Sequence, residues 1–130
     1  MKDSNYVPGK CNINSEEVGL RFRAAVLSFF VACIVLLFLL IFSNNKFFRL
    51  ILIPPIFLMV LNLIQSEQKF CIFYALSGEE NAKPGSKKAK SVNSLNDKKR
   101  DRRKAIFIIA VSLLISVAIT LPLINLSNID

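Results

Sequence analysis

The sequence predicts an all-α integral membrane protein with three transmembrane helices, N-in and C-out, forming one membrane domain over residues 1–130. Three apolar stretches without a charged residue carry this prediction: residues 24–42, 50–64 and 105–124. A helix needs about 20 apolar residues to cross the hydrocarbon core of a bilayer, within a range of about 17–25. The chain is 53% hydrophobic, and its short polar remainder leaves no room for a separate soluble core.

The first helix should begin near Ser15 and run unbroken into the first span, ending near Phe42. Asn14 can cap it, because an asparagine oxygen accepts a hydrogen bond from the free amides of the first turn. Glu17 follows three residues later, as in a variant of the capping box. Glu17 and Arg21 are also spaced i,i+4, so we expect them to pair on one face of the helix.

The second span is short, and Pro54-Pro55 interrupts it. Residues 47–65 are enough to cross the bilayer if the Arg49 side chain extends to the interface. Proline removes a backbone donor and clashes with the preceding turn, so we predict a kink at this pair rather than the end of the helix. A re-entrant loop is the alternative interpretation, but it would put the basic residues 65–104 outside the cell, against the usual charge rule.

After the second span, we expect the helix to continue over residues 65–77 into the interface, with Gly78 as its C-cap. Its aromatic residues fall at i, i+3 and i+4 and should face lipid or the first helix: Phe70, Phe73 and Tyr74. The polar composition of residues 78–97 predicts a flexible basic loop. The third helix should start near Ser94 and end before Pro122.

The distribution of basic residues predicts the orientation. All 17 Lys and Arg residues except Lys46 and Arg49 lie within residues 1–23 and 65–104. These two segments share one side of the membrane if all three stretches span it, and loops rich in Lys and Arg stay in the cytoplasm. We therefore expect a multi-pass protein of the plasma membrane whose N-terminus is cytoplasmic.

The composition argues against most catalytic chemistry. The chain has no histidine, which removes the commonest general base and most zinc sites. No ionisable residue lies inside the three apolar stretches, so a proton or ion relay across the membrane is not expected. Asn62 and Pro54-Pro55 are the kind of features that mark transport sites, but we expect them to serve helix packing. We predict no catalytic residue.

Two of the three cysteines, Cys11 and Cys71, should lie on the cytoplasmic side near the membrane surface, and we predict that they are spatial neighbours. As metal ligands, two thiolates could hold Cu(I), and four in a dimer could hold zinc or an iron–sulfur cluster. They could also cycle as a dithiol. The alternative is two unrelated thiols in a reducing compartment, and no CxxC motif occurs.

A basic cluster precedes the third apolar stretch, and we expect it to contact anionic lipid. Nucleic acid is not an expected partner, because no aromatic residues interleave the charges and no folded module presents them. The predicted lipid-contact residues are Lys98, Lys99, Arg100, Arg102, Arg103 and Lys104.

The chain resembles a group of small, uncharacterised bacterial membrane proteins with three spans. The residues that carry the resemblance are Cys11-Asn12-Ile13, the acidic helix start, Arg21, Arg23, Pro54, Gln65-x-x-x-Lys69-Phe70-Cys71, Ser77-Gly78-x-x-Asn81 and Asp97-Lys98-Lys99. The resemblance implies a bacterial inner membrane location and draws attention to the two cysteines. It brings no fixed activity or cofactor with it.

The function that the sequence predicts is that of a non-enzymatic accessory or structural membrane protein, which acts through a protein partner or by self-association. The alternative is a thiol-based metal-binding or redox membrane protein that uses Cys11 and Cys71. A third possibility, a small transporter subunit, would require a polar pore built by several copies. No cofactor follows from the sequence, and the expected partners are anionic lipids with another protein or a second copy.

Overall fold

A computed structural model describes residues 6–85 and 87–127. Within them, three helical segments are long and apolar enough to cross a membrane: Ser15–Phe42, Lys46–Gln68 and Leu95–Ile124. The elements in chain order are α1 (Ser15–Phe42), a 3₁₀ helix (Lys46–Leu52), α2 (Ile53–Gln68), α3 (Ile72–Ser77), β1 (Glu79–Glu80), β2 (Lys90–Ser91) and α4 (Leu95–Ile124).

Helix α1 begins where the sequence predicts. The Asn14 side chain accepts a hydrogen bond from the Glu17 backbone N at 3.0 Å, which satisfies one of the free amides of the first turn. The helix runs without interruption to Phe42, and Ser43 ends it in an extended conformation.

The second segment is built differently from the predicted helix over residues 47–65. A 3₁₀ helix over Lys46–Leu52 leads into α2, and Pro54 and Pro55 occupy the first turn of α2. In a first turn the backbone amides have no helical acceptor, so the missing N–H of proline costs little there. The prolines thus mark the change from 3₁₀ to α geometry, and the kink stays a prediction.

The prediction that the second helix continues over residues 65–77 is wrong. Helix α2 ends at Gln68, and Lys69 adopts a left-handed conformation with φ 53°. Gln65 makes this break possible, because its backbone O accepts from Phe70 N and its side-chain Oε1 accepts from Ile72 N, both at 3.0 Å. The chain then restarts as α3, which ends at Gly78 in a left-handed conformation with φ 75°, the predicted C-cap.

The break also divides the predicted aromatic stripe. Phe70 is fully buried and belongs to a core cluster with Leu61 of α2 and Ile108 of α4. Phe73 on α3 is instead 66% exposed. The stripe therefore does not form one face of a continuous helix.

Short strands occur within the predicted flexible loop, and the last helix is longer than predicted. Strands β1 and β2 pair antiparallel, with Glu79 opposite Ser91 and Glu80 opposite Lys90. Helix α4 starts at Leu95, close to the predicted start, but contains Pro122, so the prediction that it ends before this proline is wrong. A proline in the last turn removes one donor, while the carbonyls that follow find another partner, described below.

Helix α2 packs against both α1 and α4, and α3 packs against α4. The buried stripe of α4 carries small polar residues whose hydroxyls return to the backbone of their own helix: Ser116 Oγ donates to Leu113 O at 2.8 Å and Thr120 Oγ1 to Ser116 O at 2.7 Å. Small residues let membrane helices approach closely. The outward faces are apolar, as at Phe42 and Leu114, 72% and 71% exposed, and suit a lipid environment.

Arg49 in the 3₁₀ helix joins the second segment to the end of α4. Its side chain is only 2% exposed, and its extension to the membrane interface stays a prediction. Its Nη1 donates to the backbone O of Leu123 at 3.2 Å and of Ile124 at 2.7 Å, and also to that of Leu126. The last carbonyls of a helix have no acceptor role within it and carry partial negative charge, so a guanidinium stabilises them.

We expect Arg49→Ala to lower the free energy of unfolding in detergent micelles by about 2 kcal/mol, because a charged donor to three partly buried hydrogen bonds is lost. Denaturation by sodium dodecyl sulfate, followed by circular dichroism, measures the change. Lys46→Ala on the same 3₁₀ helix is the matched control, since Lys46 is exposed, and it should change stability by less than about 0.5 kcal/mol. Equal effects of the two variants would contradict the capping role.

Candidate functional site

Three connecting segments meet where α1 and α4 begin and α2 ends. They are the arm before α1, the turn between α2 and α3, and the chain that follows α3. We call the buried and partly buried polar residues at this meeting point the polar cluster. Its members are Asn12, Asn14, Glu17, Arg21, Gln65, Cys71, Tyr74 and Asn81.

Asn12 is the centre of the polar cluster and is fully buried. Its Nδ2 donates to Cys71 O at 3.0 Å, and its Oδ1 accepts from Cys71 N at 2.6 Å. Its backbone N donates to Lys69 O at 3.1 Å, and its backbone O accepts from Asn81 N at 2.7 Å. One residue of the arm therefore satisfies backbone groups on both other segments. Buried backbone groups at the interruption between α2 and α3 require such partners.

Glu17 faces the other side of the polar cluster. Its Oε1 accepts from Tyr74 Oη at 3.4 Å and from Asn81 Nδ2 at 3.3 Å. Burial, reinforced by the Glu17 carboxylate, raises the pKa of the Tyr74 phenol. The predicted pair between Glu17 and Arg21 does not form, because Arg21 turns to Cys71 instead.

The Arg21 guanidinium and the Cys71 thiol are the most chemically unusual pair in the cluster. Arg21 Nη2 lies 3.0 Å from Cys71 Sγ, and the buried Arg21 Nε has no hydrogen-bond partner among the described residues. A cation beside a sulfur is the environment found around reactive cysteines. Cys71 is nevertheless fully buried, so no reagent reaches the sulfur without local opening of the chain.

The two cysteines predicted as candidate metal ligands lie in neighbouring segments, since Asn12 follows Cys11 and bonds to the backbone of Cys71. Both cysteines are buried and neither is in a disulfide. Their contacts differ: the Cys11 Sγ lies 3.6 Å from Ile13 O, whereas Cys71 Sγ faces Arg21. Over residues 6–85 and 87–127, no group of three or more His, Cys, Asp or Glu side chains could hold a metal. A thiol site at Cys11 and Cys71 stays a prediction.

The third cysteine, Cys33, lines a cavity of about 180 Å³ among the membrane-spanning segments. Residues from α1, the 3₁₀ helix, α2 and α4 surround it, all of them apolar or sulfur-containing: Phe29, Ala32, Cys33, Leu36, Leu52, Ile56, Met59, Ile119 and Leu123. Such a cavity offers no polar group to a charged ligand.

Asp101 holds the arm onto α4, a role that sequence reasoning missed. The carboxylate is fully buried and accepts from Tyr6 Oη at 2.6 Å and from Gly9 N at 2.7 Å. A signal was present, because Asp101 is the lone acid within the basic cluster and lies at i−4 and i−7 to Ala105 and Ile108 on the buried face. A carboxylate on the packed face of a helix indicates a specific partner.

The six predicted lipid-contact residues lie in three different environments. Arg100, Arg103 and Lys104 line an open cleft of about 510 Å³ together with Lys10 of the arm. Lys98 instead packs along Gly78, with its Cε 3.2 Å from the point where a Cβ on that glycine would stand. The remaining two, Lys99 and Arg102, are exposed outside the cleft.

No family model, no curated protein and no solved structure matches this chain. The resemblance to small bacterial membrane proteins therefore stays a prediction, and the arguments about function depend on the geometry described above.

We expect Asn12→Ala to lower the free energy of unfolding by about 2–3 kcal/mol, because two hydrogen bonds are lost and the Cys71 backbone groups stay buried. The same variant should expose Cys71 to alkylation. The rate of reaction with maleimide, in a chain whose other cysteines are alanine, measures this exposure. Asn93→Ala is the control, since Asn93 is exposed, and an unchanged rate in Asn12→Ala would contradict the central role of Asn12.

The arm should also respond to alkaline pH. Burial, together with the hydrogen bond to Asp101, raises the pKa of the Tyr6 phenol above its usual value of about 10. Because the fold favours the protonated phenol, its stabilising contribution is complete below about pH 10 and is lost as the pH rises through the folded pKa. Tyrosinate absorbance of a Tyr74→Phe chain, whose only tyrosine is Tyr6, tests this. A folded titration that coincides with that of the denatured chain would refute the contact.

Proposed function

We propose that this chain is a small, non-enzymatic, multi-pass protein of the bacterial inner membrane, with an accessory or structural role exerted through a protein partner or by self-association. The observation that supports this best is the internal use of the polar cluster. Asn12, Gln65 and Asn14 direct their side chains to backbone groups of the chain itself. These groups hold connecting segments together, as a scaffold requires, and are not arranged around an open site.

The apolar outer faces of the long helices are surfaces through which such a role could be exerted. Leu27 and Ile34 on α1 are both 66% exposed, and Leu114 and Phe107 on α4 are 71% and 64% exposed. In a bilayer such faces contact lipid or another membrane helix. An accessory protein acts through contacts of this kind.

Disulfide scanning in isolated membranes tests the proposal. Single cysteines replace exposed positions on α1 and α4, such as Ile34 and Leu114, in a chain otherwise free of cysteine. We expect oxidation to give a homodimer, or an adduct with one other chain, at positions on one helix face. The cysteine-free chain is the control and should not crosslink. A monomer at every scanned position would contradict the proposal.

The proposed orientation places the polar cluster and the basic start of α4 in the cytoplasm, following the distribution of Lys and Arg. In a cysteine-free background, Lys46→Cys and Ser127→Cys should react with a membrane-impermeant maleimide in intact cells. Ser91→Cys should react only after the cells are permeabilised. All three positions are exposed, so access depends on the side of the membrane. Labelling of Ser91→Cys in intact cells would overturn this orientation.

The rival proposal is a thiol-based metal-binding or redox protein, which the contact between Arg21 and the Cys71 sulfur favours. Oxidation of isolated membranes should then give an intramolecular crosslink that Cys71→Ser abolishes and Cys33→Ser leaves intact. Purification under anaerobic, reducing conditions, followed by metal analysis, covers the metal-binding version. If neither a crosslink nor a metal is found, the thiol-based proposal is excluded and only the accessory role remains.

A further inference from the structure

An open cleft lies between the arm and the start of α4, and its lining is strongly cationic. Lys10 projects from the arm, and Arg100, Arg103 and Lys104 project from α4, while Pro8, Gly9 and Phe107 complete the lining. No carboxylate is among these residues. The positive charges are therefore concentrated around one space of about 510 Å³, which raises the local attraction for an anion.

The charges in the cleft are not neutralised by any acid among residues 6–85 and 87–127. Lys10, Arg100 and Arg103 make no ion pair with any described residue, and Lys104 donates to the neutral Gln68 Oε1 at 3.0 Å. The nearest acid in sequence, Asp101, is fully buried and already accepts from Tyr6 and Gly9. The arrangement leaves four cations facing one open volume.

The arm is held in the position where it forms one wall of this cleft. Gly9 has φ +70°, and a Cβ placed on it would lie 3.6 Å from Arg100 Cβ. Its backbone N donates to the buried Asp101 carboxylate at 2.7 Å, and this hydrogen bond positions the neighbouring Lys10. The cleft is thus a product of the fold and differs from a run of charges along a helix.

The position of the cleft, next to the apolar part of α4, indicates the chemistry of its ligand. Lys104 directly precedes the apolar stretch of residues 105–124, and Phe107, 64% exposed, continues the lining toward it. Cations next to an apolar helix surface match the junction of a phospholipid, where the phosphate meets the acyl chains.

We propose that this cleft binds the phosphate of an anionic phospholipid, with Lys10, Arg100, Arg103 and Lys104 around the headgroup and an acyl chain along Phe107. The proposal rests on the membrane placement of α4 and is independent of the accessory role. It also excludes Lys98, Lys99 and Arg102 from the site, although they belong to the same basic cluster.

The chain has no tryptophan, so Phe107→Trp supplies a single fluorescent reporter at the mouth of the cleft. The variant is reconstituted into phosphatidylcholine vesicles that contain a small fraction of phosphatidylglycerol with brominated acyl chains, which quench tryptophan on contact. Measurements are made in about 1 M NaCl, where the Debye length of about 3 Å suppresses diffuse attraction. We expect stronger quenching by brominated phosphatidylglycerol than by brominated phosphatidylcholine.

Two double variants with equal charge changes test the site. Arg100→Ala with Arg103→Ala should reduce the preference for phosphatidylglycerol at least tenfold, and Lys10→Ala alone should reduce it about fivefold. Lys99→Ala with Arg102→Ala should change the preference by less than twofold. Arg100→Lys with Arg103→Lys keeps the charge and should retain most of the preference, which separates loss of the site from loss of the fold.

The possible outcomes distinguish failure of the lipid site from failure of the membrane placement of α4. Equal quenching by both brominated lipids, or equal effects of the two alanine pairs, would overturn the lipid site while the membrane placement stands. No quenching by either lipid would show that residue 107 is not in the bilayer, which contradicts the placement itself. Reversal of the phosphatidylglycerol preference by millimolar inorganic phosphate would assign the cleft to a soluble anion and overturn the lipid proposal.

Discussion

The paired hydrogen bonds between the Asn12 side chain and the Cys71 backbone are the constraint on which the polar end of this structure depends. They fix the arm against the turn between α2 and α3. The Asn12 backbone O also accepts a hydrogen bond from Asn81 N in the segment after α3. Without them, the break at Lys69 would leave buried backbone groups unsatisfied. The position of α3 against α4, and of Arg21 beside Cys71, follows from this attachment.

Helix α4 is held at both ends by charged groups that act inside the protein. At its start, the Asp101 carboxylate binds the arm through Tyr6 and Gly9, and at its end, Arg49 covers the last carbonyls. Between these ends, small buried residues such as Ser112 and Ser116 permit close packing with weak directional preference. The charged contacts therefore supply the register that an apolar interface does not define.

The length of the apolar stretches and capping chemistry were enough to predict the three long helices, the Asn14 cap and the Gly78 C-cap, because these depend on local sequence. The break between Gln68 and Ile72 could not be predicted this way, since it depends on side-chain contacts from Asn12 and Gln65 across the fold. Only part of the cationic cleft could be predicted. The sequence shows the basic cluster, but Lys10 joins it through the distant partner Asp101.

The long sequence separation of the Arg49 contacts also constrains how the protein is assembled. The carbonyls that accept from Arg49 belong to residues 74, 75 and 77 positions later in the chain. During synthesis, the second segment enters the membrane well before its partners exist, and a guanidinium without acceptors is costly in a low-dielectric environment. This part of the second segment reaches its final burial only when α4 arrives, so insertion of the last helix completes the packing of the earlier one.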